Sequence, residues 1–496
     1  MAGSISGNLS RRALLAGLMS SGASVALARV PDATMRPAPR GGQPSEAIPE
    51  SEALVKKAAL GGAVGFAVMD LTTGAVLETR QGGKLLPPAS TLKAVTALYA
   101  LERLSPDHVF RTEVLATGPI VNGRIEGDLV LKGSGDPTLD TDRLGDLAVA
   151  LREAGVTEVT GSFLIWRDAL PMTDRIDTDQ PEHVSYNPAI GGLNLNFNRV
   201  HFQWEKKRDG YDYTMHARGL RFSPGTNVAT MQIVDRSAPI FDYRRAPRSD
   251  RWSVAEKALG RDVARWLPVR FPGYYAGDVF RRLARSNGIV LVAPEVVDAL
   301  PEGQVVAAVE STPLVEILQG MLKYSTNLTA EAVGQTASQV GQGPVPSLTA
   351  SGARMAGWAM ARFGMTGLTF RDHSGLGYAS SITPEAMVGI LAPNPDLAPL
   401  LKRVNLSLDK ARPDLPGVDV RAKTGTLNFV SSLAGFVTTA SGRQLAFAIF
   451  TADTERRDAI PPEARERAPG AKAWSRRSRQ LQKELIRGWV RQFGGT

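Results

Sequence analysis

Apolar and polar positions change period several times along this chain, and each change predicts an element. In GAVGFAVMDLTTGAVLETR two β-rich runs flank Thr72-Thr73-Gly74, which predicts a hairpin. KLLPPASTLKAVTALYAL follows, with prolines that block an earlier helical turn, so a helix is expected to open at Ser90. From Ala94 to Leu101 that helix is apolar nearly all round, which predicts burial. From Phe110 to about Leu300 the texture becomes short strands and turns, as in GDLVLKGSGDPTLD and VTEVTGSFLIWRDAL. Helical spacing returns in TPLVEILQGMLKYSTNLTAEAVGQTAS and SLTASGARMAGWAMARFG, and SSLAGFVTTASGRQLAFAIFTAD predicts a second hairpin. The last segment, AWSRRSRQLQKELIRGWVRQF, is a basic amphipathic helix whose apolar stripe is expected to pack against that hairpin rather than on a membrane.

The simplest organisation is an α/β (α+β) domain, an antiparallel sheet flanked by helices, built from both ends of the chain and interrupted by a β-rich insertion. The expected boundaries are 52–110 plus 301–496 for that domain and 111–300 for the insertion. Residues 29–51 are rich in Pro, Gly and Ala and read as a flexible linker. Residues 1–28 carry Arg11-Arg12, a modest apolar run and Ala26-Leu27-Ala28, the pattern of an export signal, twin-arginine-like or Sec. Export to the periplasm is the expectation.

Composition narrows the chemistry. The 496 residues contain no cysteine, so disulfide scaffolds, cysteine nucleophiles and thiolate metal sites are excluded. Five histidines without metal-ligand spacing, and no Gly-x-Ser-x-Gly elbow, argue against metal hydrolases and Ser-His-Asp hydrolases. No cofactor and no metal are expected. The net charge of +9 suits anionic partners, but the basic residues form no nucleic-acid-binding signature.

Ser90 and Lys93 stand three apart at the mouth of the buried helix, on one face. A lysine there is costly to bury unless partnered or deprotonated, which makes the pair a nucleophile beside a base. The plainer alternative is an N-cap serine with a snorkelling lysine. A second Ser-x-x-Lys, Ser407 to Lys410, sits among charges and prolines and reads as loop.

Two further triplets decide between these readings. Ser325-Thr326-Asn327 lies at a helix start, and Lys423-Thr424-Gly425-Thr426 precedes the final hairpin. Ser-x-x-Lys, Ser-x-Asn and Lys-Thr-Gly in this order resemble the signature of penicillin-binding proteins and serine β-lactamases. The long interval from Ser90 to Ser325, with GDLVLKGSGDPTL, STNLTAEAV, DHSGLG and AKTGTLNFVSSLAGFV, resembles the D-alanyl-D-alanine carboxypeptidase/endopeptidases of the penicillin-binding protein 4 type. The resemblance implies an acyl-enzyme on Ser90 with Lys93 as base, Ser325 relaying a proton to the leaving amine, and an oxyanion hole from the N–H groups of Ser90 and Thr426. It implies that Asn327 binds the substrate amide, that Lys423, Thr424 and Thr426 hold the terminal carboxylate, and that Gly425 lets the substrate lie flat on the strand. It implies that the β-rich insertion is two small domains, and that the partners are peptidoglycan stem peptides and β-lactam antibiotics, with no nucleic acid and at most a peripheral membrane contact.

The chain also departs from that pattern. Where relatives read Asp-Gly-Ser-Gly-Leu-Ser-Arg, this chain has Asp372 to Tyr378, so the arginine that helps hold the diaminopimelate end of the peptide is a tyrosine. A frequent glutamine after Lys-Thr-Gly-Thr-Leu is Asn428, and Asp179 or Glu182 are the candidates for an expected acidic residue. Tyr378 and Asn428 are therefore the specificity positions, with altered diaminopimelate preference expected. The alternatives are a serine β-lactamase, or a catalytically weak wall-binding or assembly protein.

Overall fold

A computed structural model describes residues 49–261 and 263–495. The export signal and nearly all of the linker lie outside the described residues.

Both ends of the chain contribute to one six-stranded sheet. Its order is Lys402–Arg403, Asp419–Leu427, Val430–Thr438, Gln444–Ala452, Ala63–Asp70, Val76–Arg80, and every neighbouring pair is antiparallel. The first hairpin closes where Asp70 Oδ1 accepts hydrogen bonds from the N–H groups of Thr72 and Thr73, both at 2.8 Å. Ala63–Asp70 then pairs along its full length with Gln444–Ala452. Val430–Thr438 and Gln444–Ala452 are buried almost throughout, as their unbroken apolar runs require.

Each face of the sheet carries helices. On one face Leu92–Leu104 packs with Asn327–Gln339, Leu348–Phe363 and Pro384–Leu391 through Val95, Tyr99, Val333, Met355 and Ile390. On the other, Ala471–Phe493 buries Trp474, Leu481, Leu485 and Trp489 against Phe66, Phe447 and Ile449. Its apolar stripe is thus a sheet-packing face. No helix among the described residues is long and apolar enough to cross a membrane.

The insertion holds two helices that its β-rich texture concealed, Thr141–Glu153 and Pro272–Ser286. Asp140 caps the first by accepting from Arg143 N at 2.8 Å, and proline opens the second. One buried cluster joins these helices to the five-stranded sheet through Leu147, Phe163 and Phe280 and also takes in Phe202 and Trp252. The insertion also ends later than residue 300. Gln304–Glu310 pairs antiparallel with Arg111–Ala116, and Ser311 N donates to Phe110 O at 2.9 Å. The strand that opens the insertion therefore holds the strand that closes it.

Candidate active site

Ser90 lies in a 3₁₀ turn, Ala89–Thr91, that runs directly into Leu92–Leu104. Its hydroxyl caps nothing, contrary to the plainer reading of the sequence; Thr91 is the formal cap residue and makes no side-chain cap bond either. The turn is tense, with Ala89 at φ 45°. Pro88 O at its entry accepts from Thr91 Oγ1 within the turn and from Ser432 Oγ outside it, both at 2.6 Å.

Lys93 is fully buried on that helix. Its Nζ reaches three acceptors: Ser90 Oγ at 3.0 Å, Asn327 Oδ1 at 2.7 Å and Ser374 O at 2.7 Å. Burial pulls the ammonium down to about 8, and the charges of Glu331 and Asp372 act against that fall. A neutral amine has two N–H donors and one lone pair. With Asn327 and Ser374 accepting the two hydrogens, the lone pair is left facing the Ser90 hydroxyl.

Ser325 is the left-handed residue between Leu314–Tyr324 and Asn327–Gln339, at φ 59° and ψ 39°. Breaking the helix there, rather than continuing it, turns the serine into the cleft. Lys423 Nζ donates to Ser325 Oγ at 2.9 Å and to Thr424 O at 2.7 Å. Burial first, and then the charge of Lys93, hold the Lys423 ammonium well below its ordinary value.

A cavity of about 870 Å³ opens in front of these groups, lined by Ser90, Ser325, Asn327, Tyr378, Thr426 and Asn428 among others. Three of the expected residues stand differently towards it. Asn327 has both ends engaged, its Oδ1 by Lys93 and its Nδ2 by Tyr186 O at 2.9 Å, so it positions the lysine. Thr424 is exposed and outside the cavity lining, whereas Thr426 is in it. Gly425 faces the protein: a Cβ there would meet Ser432 Oγ at 2.1 Å and Pro88 O at 2.9 Å. The glycine serves the approach of the strand to the Ser90 turn.

At the specificity positions, Tyr378 donates its hydroxyl to Asp458 Oδ1 at 2.8 Å, and the Arg457 guanidinium lies over its ring. A guanidinium is thus present beside position 378 even though the expected arginine is not. Asn428 Nδ2 donates to Arg465 O at 2.7 Å. Of the two acidic candidates, Asp179 lines the cavity and pairs with Arg465, while Glu182 lies among Arg175 and Arg270.

Sequence reasoning missed two carboxylates behind Lys93. Glu331 is fully buried and accepts from the N–H groups of His373 and Ser374, each at 2.9 Å. Asp372 accepts from Gly375 N at 2.8 Å and Gly377 N at 2.5 Å. Burial pushes both carboxyls upward. Together they hold the loop whose Ser374 carbonyl receives Lys93. Glu331 was discoverable as a lone acid on an otherwise uncharged helix, four residues after Asn327. His373 is structural, its Nε2 2.7 Å from Ser351 Oγ.

A sequence profile described as the D-Ala-D-Ala carboxypeptidase 3 (S13) family matches residues 50–469. The chain is 29% identical over 472 residues to a D-alanyl-D-alanine carboxypeptidase of Actinomadura sp. (strain R39), covering 82% of this chain and 81% of that protein. It is 25% identical over 430 residues to D-alanyl-D-alanine carboxypeptidase DacB of Haemophilus influenzae, covering 80% and 87%. The crystal structure of penicillin binding protein 4 (dacB) from Haemophilus influenzae superposes with a TM-score of 0.71 at 20% identity, covering 88% of this chain and 98% of that one. A second structure of that protein, complexed with a β-lactam, superposes with a TM-score of 0.68.

Proposed function

The chain belongs to the D-Ala-D-Ala carboxypeptidase 3 (S13) family, and from that premise we propose that it is an exported serine D,D-peptidase acting through an acyl-enzyme on Ser90. The observation that carries this reading is the environment of Lys93 Nζ, whose two other partners leave its lone pair for Ser90. Nothing about binding alone requires a buried amine held in that way.

In the proposed cycle Ser90 Oγ attacks the carbonyl between two D-alanines while its proton passes to Lys93. The N–H groups of Ser90 and Thr426 receive the developing oxyanion, each contributing about 3–4 kcal/mol to the barrier. Lys402–Arg403 pairs only with Arg421 and Ala422, so among the described residues the edge of Asp419–Leu427 from Lys423 onward has no partner strand and is free to take the peptide as an added strand. The C–N bond then breaks, and Ser325, bonded to Lys423, delivers a proton to the leaving amine. Water hydrolyses the ester and regenerates Ser90. The same chemistry extends to D,D cross-links, whose acyl side is identical. The reading of residues 1–28 as an export signal supports action on peptidoglycan outside the cytoplasm.

The test is intact mass after incubation with a slight excess of penicillin. A stable single adduct, absent from Ser90→Ala, supports the proposal. Rapid loss of the adduct with accumulating hydrolysed drug favours a β-lactamase, and no adduct in either protein leaves a fold kept for binding.

A further inference from the structure

Asn327 turns its Oδ1 to Lys93 while its Nδ2 is taken by Tyr186 O, which belongs to the insertion. A carboxamide rotates by half a turn at little cost, so only its partners tell its two ends apart. With Nδ2 towards Lys93, two donors would face each other and the lone pair of the amine would no longer be reserved for Ser90. The direction of Tyr186 O therefore bears on the state of the base.

Tyr186 sits in a loop, residues 174–187, that contains neither helix nor strand and is closed at its base by a bridge between Thr173 and Ile190. Without a ladder, its shape rests on side chains. Asn187 is fully buried; its Oδ1 accepts from Ile176 N at 2.9 Å and Asp177 N at 3.0 Å, and its Nδ2 donates to Asp177 O at 2.7 Å. The N–H of Asn187 shares a peptide plane with Tyr186 O and donates to Val184 O at 3.1 Å. Arg270, also buried, donates from its guanidinium to Asp174 O at 2.9 Å, Glu182 O at 2.8 Å and Asn187 O at 2.6 Å. One side chain thus ties the start, the middle and the end of the loop together.

Arg270 is itself fixed. It lies between Val263–Pro268 and Pro272–Ser286, and its N–H donates to the buried Asp250 Oδ2 at 2.9 Å. Burial opposes the charge of its guanidinium, and Glu182 Oε2 lies 3.6 Å away. A buried cation bonded to main-chain carbonyls is a costly way to stabilise a fold. Its effect here is to hold one conformation of a loop whose Tyr186 carbonyl ends on Asn327.

We propose that Arg270 is a positioning residue for the Ser90–Lys93 pair: by clamping the loop at Asn187 it fixes Tyr186 O, which orients the Asn327 amide towards Lys93, so that the insertion is a working part of the catalytic centre. This rests on the acyl-enzyme reading of Ser90 and deepens it.

A double-mutant cycle of Arg270→Met with Asn327→Ala tests it. In Arg270→Met the rate constant of acylation at saturating penicillin is expected to fall about tenfold, the worth of one hydrogen bond. In the Asn327→Ala background the same substitution is expected to cost little, because the amide it orients is gone. Equal losses in the two backgrounds overturn the inference and make Arg270 a structural residue only. Urea midpoints establish that each variant folds. Should Arg270→Met fail to fold, Arg270→Lys, which keeps a donor, takes its place in the cycle, with a smaller loss and the same non-additivity expected.

The titration of Lys93, followed by NMR in protein carrying isotope-labelled lysine, needs no turnover. Its midpoint is expected to move down in the Arg270 variant, since an acceptor that favours the ammonium is lost, and to stay put when that substitution is added to Asn327→Ala. An unmoved midpoint in the Arg270 variant overturns the inference. If penicillin leaves no adduct on the wild-type protein, the peptidase reading itself fails, and the titration still decides whether Arg270 positions the partner of Lys93.

Discussion

Lys93 Nζ lies 3.0 Å from Ser90 Oγ and 2.7 Å from Asn327 Oδ1. The amine therefore joins two segments far apart in sequence, and in the proposed mechanism Ser90 is activated only when both are in place. Lys423 and Ser325 repeat the arrangement on the other side of the cleft at 2.9 Å. A buried Lys93 would be costly without compensation, and Glu331 and Asp372 supply it from behind, whereas Lys423 is opposed by burial and by the charge of Lys93.

The first consequence is a pH dependence. The base must be neutral, and burial brings Lys93 down to about 8. Roughly a tenth of the enzyme then carries the free amine at pH 7, and the fraction grows with pH. The second-order rate of acylation by penicillin is expected to rise between pH 6 and 9 with a midpoint near 8. A flat profile over that interval would remove Lys93 from the role of base.

Lys93→Ala removes the proton acceptor. Acylation should slow by about 10²–10⁴-fold, the usual worth of general-base assistance, and the residual rate should no longer follow the titration near 8. Stopped-flow acylation with a chromogenic β-lactam measures both at once.

Glu331→Gln separates charge from position. The Glu331 charge holds the Lys93 value up, so its loss should move the acid limb of the acylation profile to lower pH. An amide also cannot accept from both His373 and Ser374 through oxygens, as the carboxylate does. Losing one buried hydrogen bond, at about 1–3 kcal/mol, should slow acylation roughly tenfold or more by loosening the Ser374 carbonyl. A slower enzyme with an unmoved profile would make Glu331 a packing residue only.

Gly425→Ala tests the contact between the strand and the Ser90 turn. The added methyl would overlap Ser432 Oγ and press on Pro88 O. Overpacking of this kind costs about 1–3 kcal/mol, read as a lower midpoint in urea. Acylation should fall as well, because Pro88 is held by Ser432 and carries the turn. Unchanged acylation at reduced stability would show that the turn tolerates a shifted strand.

Much of this protein was legible in its sequence, and the reasons are local. The two hairpins, the buried helix and the three short motifs each depend on residues within a few positions: a turn with glycine, prolines that stop a helix, serine and lysine one turn apart. Where the sequence misled, distance along the chain was the cause. Leu300 looked like the end of the insertion because nothing local marks Gln304–Glu310 as the partner of Arg111–Ala116. Likewise, the packing of Gly425 against Pro88 and Ser432 could not be read locally, because neither is its neighbour in sequence.

Sequence alone thus determined the chemical repertoire: no thiols, no metal-ligand spacing, and a serine and lysine at helical spacing repeated by a serine and lysine elsewhere. Tertiary structure decided which of these groups face each other, what state the amine is in, and what lines the cleft. Desolvation, the pairing of buried charges and the approach of one backbone to another depend on atoms brought together from remote segments.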